Sequence, residues 1–316
     1  PGSTFKLFVY AAAMEAGLSP CDERIDNSVV WDVVEDGKPA KWIPHNANGA
    51  ATGDTMSLKC AFAQSVNTIA VQVAKEVSIP SIMRTAQAMG IKTPLEETPA
   101  ISLGASDVDL LELVNSYATV VNDGVVNDPV LVTRIEDKDG NVLFEYKPPK
   151  PVQAISYETA FLMTEMLKGG LTEPKGTSKA LWAYDLFQYD TQFGGKTGTS
   201  SNHSDAWFVG VTPKLVAGAW VGGDHRSIHF RTGALGQGSR TALPIYAYFM
   251  EDVLKDQKLK QYRGVFPTKP KQKINKPYNC NGDYRPVPRD TDSIAVNMPD
   301  SLLKEQITEE EIVKGE

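Results

Sequence analysis

Three short stretches of this chain carry side chains whose types and spacing suit acyl transfer: Ser3-Thr4-Phe5-Lys6, Ser65-Val66-Asn67 and Lys196-Thr197-Gly198-Thr199. A serine hydroxyl is a weak nucleophile and needs a base beside it. On a helix, residues three apart share a face, with Cβ atoms roughly 5–6 Å apart, so Lys6 reaches the Ser3 hydroxyl. Set among Phe5, Leu7 and Phe8, the lysine loses hydration, which favours the neutral amine that can take a proton. A helix start also puts the Ser3 backbone N–H, and the positive end of the helix dipole, where an oxyanion forms. A strand-edge N–H near Thr199 is the candidate second donor. Gly198 has no Cβ, so a substrate backbone can approach its strand closely. Lys196 and the hydroxyls of Thr197 and Thr199 suit a terminal carboxylate, Ser65 suits a proton relay to a leaving amine, and the Asn67 amide suits a substrate carbonyl. The catalytic candidates are therefore Ser3, Lys6 and Ser65, and the substrate-binding candidates are Asn67, Lys196, Thr197, Gly198 and Thr199.

Each motif alone is weak. S-x-x-K arises roughly once by chance in a chain of this size, and Ser301-Leu302-Leu303-Lys304 is a second match; Ser200-Ser201-Asn202 repeats the S-x-N pattern, whereas Lys-Thr-Gly occurs once. Context separates them. Residues 3–16 form a helix apolar all round, the mark of a buried one, closed by Gly17. The second motif interrupts an apolar stripe and marks a break between two helices. The third lies on a strand, within a 192–222 segment that reads as consecutive antiparallel strands turning at short polar loops. The decoys sit in an acidic tail and in the loop after the third motif.

The elements expected around these motifs follow the same logic. Residues 31–57 show no periodicity and read as a long irregular segment. Ser106 and Asp109 resemble a capping box opening a helix that ends at Gly124. A hairpin turns at Asp139-Gly140, a helix runs from Ser156 to Lys168 and stops at Gly169-Gly170, and another spans 242–254. Beyond about residue 257 the Pro, Lys and Asn content rises and the chain closes on Glu309-Glu310-Glu311, a composition for an extended tail.

Composition excludes several functions. The net charge of −7 argues against nucleic acid as the main partner, since a phosphate backbone wants a basic face, and no apolar run spans a membrane. Cys21, Cys60 and Cys280 make no C-x-x-C pattern, and an odd count fits neither a disulfide framework nor a zinc site. His225 and His229 lack the intervening glutamate of a zinc-protease helix. Gly233, Gly236 and Gly238 make no P-loop and read as a turn into the last helix. No metal and no cofactor is expected. The five tryptophans read as core or groove wall. With 316 residues and 41% hydrophobic content, the chain holds one large core or a core plus an appendage.

The motif trio is a known signature of penicillin-binding proteins and serine β-lactamases, and the chain resembles class A penicillin-binding proteins, the bifunctional peptidoglycan synthases. The resemblance rests on Pro1–Lys6, Ala63-Gln64-Ser65-Val66-Asn67-Thr68-Ile69-Ala70, Ser102-Leu103-Gly104, Ser116-Tyr117-Ala118, Asn122-Asp123-Gly124, Lys196–Thr199 and Asp205-Ala206-Trp207-Phe208-Val209-Gly210. It implies an α/β (α+β) transpeptidase fold, an antiparallel sheet with a helical subdomain and the site at their junction. It implies a D,D-transpeptidase that cross-links peptidoglycan stem peptides through an acyl-enzyme on Ser3 and is acylated by β-lactams, with Lys6 as the base. Residues 1–257 are expected to form the transpeptidase domain, without its N-terminal strands, and 258–316 an extended, partly disordered C-terminal tail. A start at Pro1 rather than Met suggests a piece of a longer precursor. The resemblance further implies a glycosyltransferase domain and a membrane anchor upstream, and a periplasmic site at the inner membrane. A D-Ala-D-Ala carboxypeptidase and a non-turnover β-lactam sensor share these residues. A β-lactamase also needs a deacylating carboxylate, and Glu96-Glu97 is the nearest acidic pair.

Overall fold

A computed structural model describes residues 1–35, 37–280 and 284–286. In chain order its main elements are α1 (Lys6–Glu15), β1 (Glu23–Ile25), β2 (Trp31–Glu35), β3 (Lys38–Trp42), β4 (Thr55–Ser57), α2 (Leu58–Gln64), α3 (Asn67–Val77), α4 (Ile79–Ala88), α5 (Leu110–Val121), β5 (Val125–Val126), β6 (Arg134–Glu136), β7 (Val142–Glu145), β8 (Val152–Gln153), α6 (Tyr157–Thr172), β9 (Gly194–Thr199), β10 (Asp205–Val211), β11 (Val216–Gly222), α7 (Gly233–Gly236), α8 (Ala242–Lys255) and β12 (Tyr284–Arg285). The arrangement is α+β, as expected: a helical body packed on an antiparallel sheet of order β11-β10-β9.

Helix α1 is the centre of the body. Every residue from Lys6 to Met14 is buried, so its apolar circumference is matched by α3, α4 and α6 around it. It ends where Gly17 adopts φ +108°, with Leu18 N–H donating back to Ala13 O at 3.0 Å, a glycine-dependent stop. Strands β9 and β10 are buried on both faces. Val209 and Val211 of β10 join the core around α1, while Phe208 and Ala219 pack on Leu243, Tyr246, Ala247 and Met250 of α8. That alternation is the period-2 consequence of the pleat. The pairing Val209↔Lys196 and Trp207↔Gly198 fixes which β9 side chains face the helices.

Several expectations change. The 31–57 segment is not irregular throughout: β2 and β3 pair from Trp31↔Trp42 to Glu35↔Lys38. Both strands are largely solvent-facing and β3 carries Pro39, so no apolar alternation announced them. The cap of α5 is Asp109 alone, which accepts from Leu111 N (2.8 Å) and Glu112 N (3.2 Å); Ser106 accepts from Glu96 N instead. Helix α6 runs through Gly169-Gly170 rather than stopping there. A Cβ on Gly170 would lie 2.8 Å from Gly195 O and 3.0 Å from Ser178 Oγ, so the glycine permits close packing of the helix on β9.

The cysteine reading is corrected too. Cys21 and Cys280 form a disulfide across 259 residues of sequence, and Cys60 lies buried in α2. The odd count concealed a pair whose members lie 259 residues apart. After α8 and a short 3-10 helix over Gln257–Tyr262, the described part of the C-terminal segment follows a course with little regular structure along the body. It is held by buried Phe266, by Lys276 Nζ donating to Met14 O, by the disulfide, and by β12 pairing on β4. Ser301–Lys304 and Glu309–Glu311 lie outside the described residues.

Candidate active site

Ser3 sits in a 3-10 turn, Gly2–Phe5, that leads directly into α1. Three glycines make that position possible. Gly2 takes φ +54°, and a Cβ there would meet Thr199 O at 2.6 Å; a Cβ on Gly104 would lie 1.9 Å from Gly2 O; one on Gly198 would lie 2.2 Å from Pro1 O. Backbone therefore packs on backbone at each contact, and Gly2 N–H donates to Gly104 O at 3.2 Å. Gly198 thus makes room for the turn that carries Ser3, a role its strand position did not announce. Tyr117, from α5, fixes the turn from beneath by donating to Thr4 O at 2.8 Å.

Ser65 is brought in by the break between α2 and α3. It closes α2 in the left-handed region, φ 61° and ψ 37°, a conformation uncommon for a residue with a Cβ and frequent where function fixes the backbone. Asn67 opens α3. Its Nδ2 donates to His45 O at 2.8 Å, and its Oδ1 accepts from Lys6 Nζ at 2.7 Å. The Lys6 amine also donates to Ser65 O at 2.8 Å and lies 3.3 Å from Ser65 Oγ. From the opposite side, Lys196 Nζ donates to Ser65 Oγ at 2.8 Å and to Thr197 O at 3.2 Å. One hydroxyl is therefore flanked by two lysines from elements far apart in sequence.

Both amines are fully buried. Burial lowers the Lys6 pKa well below the usual lysine range, and the Lys196 charge lowers it further; burial alone lowers that of Lys196 to about 7. Two ammonium groups sharing one hydroxyl would repel each other in a medium that screens poorly, so the cluster favours the loss of a proton. Such a neutral Lys6 has two N–H bonds, which Ser65 O and Asn67 Oδ1 accept, and a lone pair left for a hydroxyl.

The sign of the stability effect follows. Between pH about 7 and 10.5, the unfolded chain holds a proton on Lys196 that the folded chain has released, so stability rises with pH through this window. The slope is at most about 1.4 kcal/mol per pH unit for one proton. Denaturant titrations at pH 7.5 and 9.5 are expected to show this gain, and Lys196→Met is expected to reduce it. Equal gains in both proteins would contradict the buried-amine reading.

Ser3, Ser65, Asn67, Thr197 and Thr199 line one open cleft of about 1310 Å3, a volume that suits a peptide rather than a single small molecule. Trp42, Trp207 and Trp220 lie on its wall, while Trp182 stacks on Phe187 at 3.9 Å elsewhere. Lys6 and Lys196 stand behind Ser65 rather than on the cleft surface. The Lys196 ammonium, expected to face a carboxylate, is directed at Ser65, which leaves the cleft-facing hydroxyls to Thr197 and Thr199. Thr199 Oγ1 accepts from Gly238 N at 3.0 Å. A Cβ on Gly238 would meet Trp207 O and Gly198 O at 2.3 and 2.4 Å, so this glycine belongs to the site and is not merely a turn residue. His45 and Asn46, which anchor Asn67, lay in the segment read as irregular, and no spacing pattern marked them.

Residues 1–223 match the family described as the penicillin binding protein transpeptidase domain. The chain is 29% identical over 279 residues to penicillin-binding protein 1A of Rickettsia prowazekii, a match covering 81% of this chain and 34% of that protein. It is 31% identical over 264 residues to penicillin-binding protein 2D of Bacillus subtilis, covering 81% and 36%. The chain thus spans about a third of the length of these curated relatives. Among solved structures, penicillin-binding protein 1A from Haemophilus influenzae aligns with a TM-score of 0.72 at 24% identity, over 90% of this chain and 47% of that one. Penicillin-binding protein A from M. tuberculosis, in an imipenem acyl-enzyme complex, aligns with a TM-score of 0.58 at 25% identity, over 79% and 59%.

Proposed function

This chain belongs to the penicillin-binding protein transpeptidase family, and from that premise we propose a serine-type D,D-transpeptidase acting on D-Ala-D-Ala stem peptides of peptidoglycan. Ser3 Oγ attacks the carbonyl of the penultimate D-Ala while Lys6, neutral at the start, takes the hydroxyl proton. The tetrahedral intermediate collapses with cleavage of the C–N bond, and a proton reaches the departing amine of the terminal D-Ala through Ser65. An amine of a second stem peptide then attacks the Ser3 ester, forms the cross-linking amide and returns a proton to Ser3. A β-lactam follows the first half of this course: its ring amide opens on Ser3, and the tethered amine blocks the second. Asn67, at the start of α3, and Thr197, Gly198 and Thr199, along β9, are the proposed substrate contacts, and Lys196 tunes Ser65.

The observation that carries this reading is the Ser65 hydroxyl held between the Lys6 and Lys196 amines, at 3.3 and 2.8 Å, on the wall of the cleft that Ser3 also lines. The test is product analysis with a stem pentapeptide and an added amine. Release of D-Ala with the new amide is expected. Release with only the shortened free acid would make the protein a carboxypeptidase, and no release would favour a β-lactam sensor.

The Cys21–Cys280 disulfide supports an oxidising compartment, which fits a periplasmic location. Among the described residues no helix is long and apolar enough to cross a membrane. The membrane anchor and glycosyltransferase domain are proposed for the whole protein on the strength of its class A resemblance.

A further inference from the structure

Asp26 follows β1 and is only 2% exposed, yet no cation pairs with it among the described residues. Its carboxylate accepts from neutral donors: Asn46 Nδ2 at 3.0 Å to each oxygen, Thr52 N at 2.9 Å, Thr52 Oγ1 at 2.8 Å, and Thr68 Oγ1. Burial pushes its pKa up, but the bonds from Thr68, Thr52 and Asn46 together bring it below the usual carboxylate range. An ionised carboxylate can only accept, and that has a consequence at Asn46, 20 residues along the chain. The Asn46 amide must turn its Nδ2 to Asp26, which leaves its Oδ1 facing the other way. There it accepts from Asn67 N at 2.9 Å and Thr68 N at 3.3 Å. Helix α3 has no side-chain cap from its own N-cap residue, Val66, so Asn46 caps it from another loop. The neighbouring His45 O holds the Asn67 side chain, whose Oδ1 accepts from Lys6.

We propose that Asp26, acting through Asn46, is a positioning residue for acyl transfer: its acceptor-only carboxylate sets the direction of the Asn46 amide and so holds Ser65-Val66-Asn67 against the Lys6 amine. This rests on the reading of Ser3, Lys6 and Ser65 given above. Asp26→Asn keeps one acceptor and puts a donor in place of the other oxygen. The Asn46 Nδ2, 3.0 Å from both positions, then faces a donor on one side, and residue 26 no longer dictates the direction of the Asn46 amide. The Asn46 cap on α3 is thereby loosened and the start of the helix is free to shift. The paired exchange restores the pattern, because an amide at position 26 donates to a carboxylate at position 46 that still accepts from α3.

The experiment is stopped-flow acylation of the full chain by a fluorescent penicillin, separating the dissociation constant from the acylation rate constant, with thermal melting in parallel. Asp26→Asn is expected to slow acylation about ten- to a hundred-fold, as a displacement near 1 Å does at a reacting centre, with the dissociation constant within about twofold. Asp26→Asn combined with Asn46→Asp is expected to return the rate to within about threefold of the parent. A folded Asp26→Asn protein that acylates at the parent rate, even with a lowered melting temperature, would show a purely structural network and overturn the inference. Should Asp26→Asn alone not fold, the paired exchange decides: a parent-like rate supports positioning, and a slow rate in a folded protein refutes it. If the unaltered chain takes no label at Ser3, the transpeptidase reading fails first and this inference falls with it.

Discussion

Ser3→Ala is expected to remove all covalent labelling by a fluorescent penicillin and leave the fold intact. Ser3 is half-buried and lines the cleft, so deleting its hydroxyl opens no cavity of consequence in the core. The turn around it is held by Gly2 N–H on Gly104 O, Thr4 N–H on Pro1 O, and the Tyr117 hydroxyl on Thr4 O. None of these needs the Ser3 side chain. Without the oxygen no ester can form, so the effect on labelling is complete rather than graded. Ser301→Ala, in the other S-x-x-K match, is expected to label like the parent. Unchanged label on Ser3→Ala would place the nucleophile elsewhere.

The second large effect is expected at Lys6. In the proposed mechanism this amine accepts the Ser3 proton, so on its replacement acylation is expected to slow about a thousand-fold, within the range of general-base contributions. Lys6→Ala has a structural side effect. Ser65 O and Asn67 Oδ1, both part-buried, lose a donor, at about 1 kcal/mol for each bond that water does not replace. Lys6→Met fills more of the volume and separates packing from chemistry, although it supplies no donor either. Both variants are expected to slow acylation similarly while differing in melting temperature. A rate near the parent's in Lys6→Met would show that the base lies elsewhere, with Lys196 the nearest other amine to Ser65.

Much of this site was legible because its chemistry is carried by short local patterns. Ser3 and Lys6 are one helical turn apart, and the break at Ser65 interrupts an apolar stripe that a sequence displays directly. The Lys-Thr-Gly strand announces itself by alternation and by glycine. What could not be read depends on contacts between remote segments. The direction of the Lys196 ammonium is set by Ser65, 131 residues away, and no property of β9 encodes it. Gly104, seen only as part of a resemblance, matters because a Cβ there would lie 1.9 Å from Gly2 O. His45 and Asn46 lie in a loop without periodicity and matter only because α3 begins beside them. The disulfide joins residues whose separation hides any pattern. Helix α6 outran its expected end because close packing on β9 at Gly170 rewards the absence of a side chain more than helix propensity penalises it.

Intact-mass analysis after exposure to benzylpenicillin, followed by peptide mapping of the adduct, tests the nucleophile most directly. Expected is a single addition equal to the mass of the whole antibiotic, since ring opening loses no atoms, located on the peptide that carries Ser3. An adduct mapped to any other residue, or a folded protein that gains no mass, would contradict the assignment of Ser3 as the acylated residue.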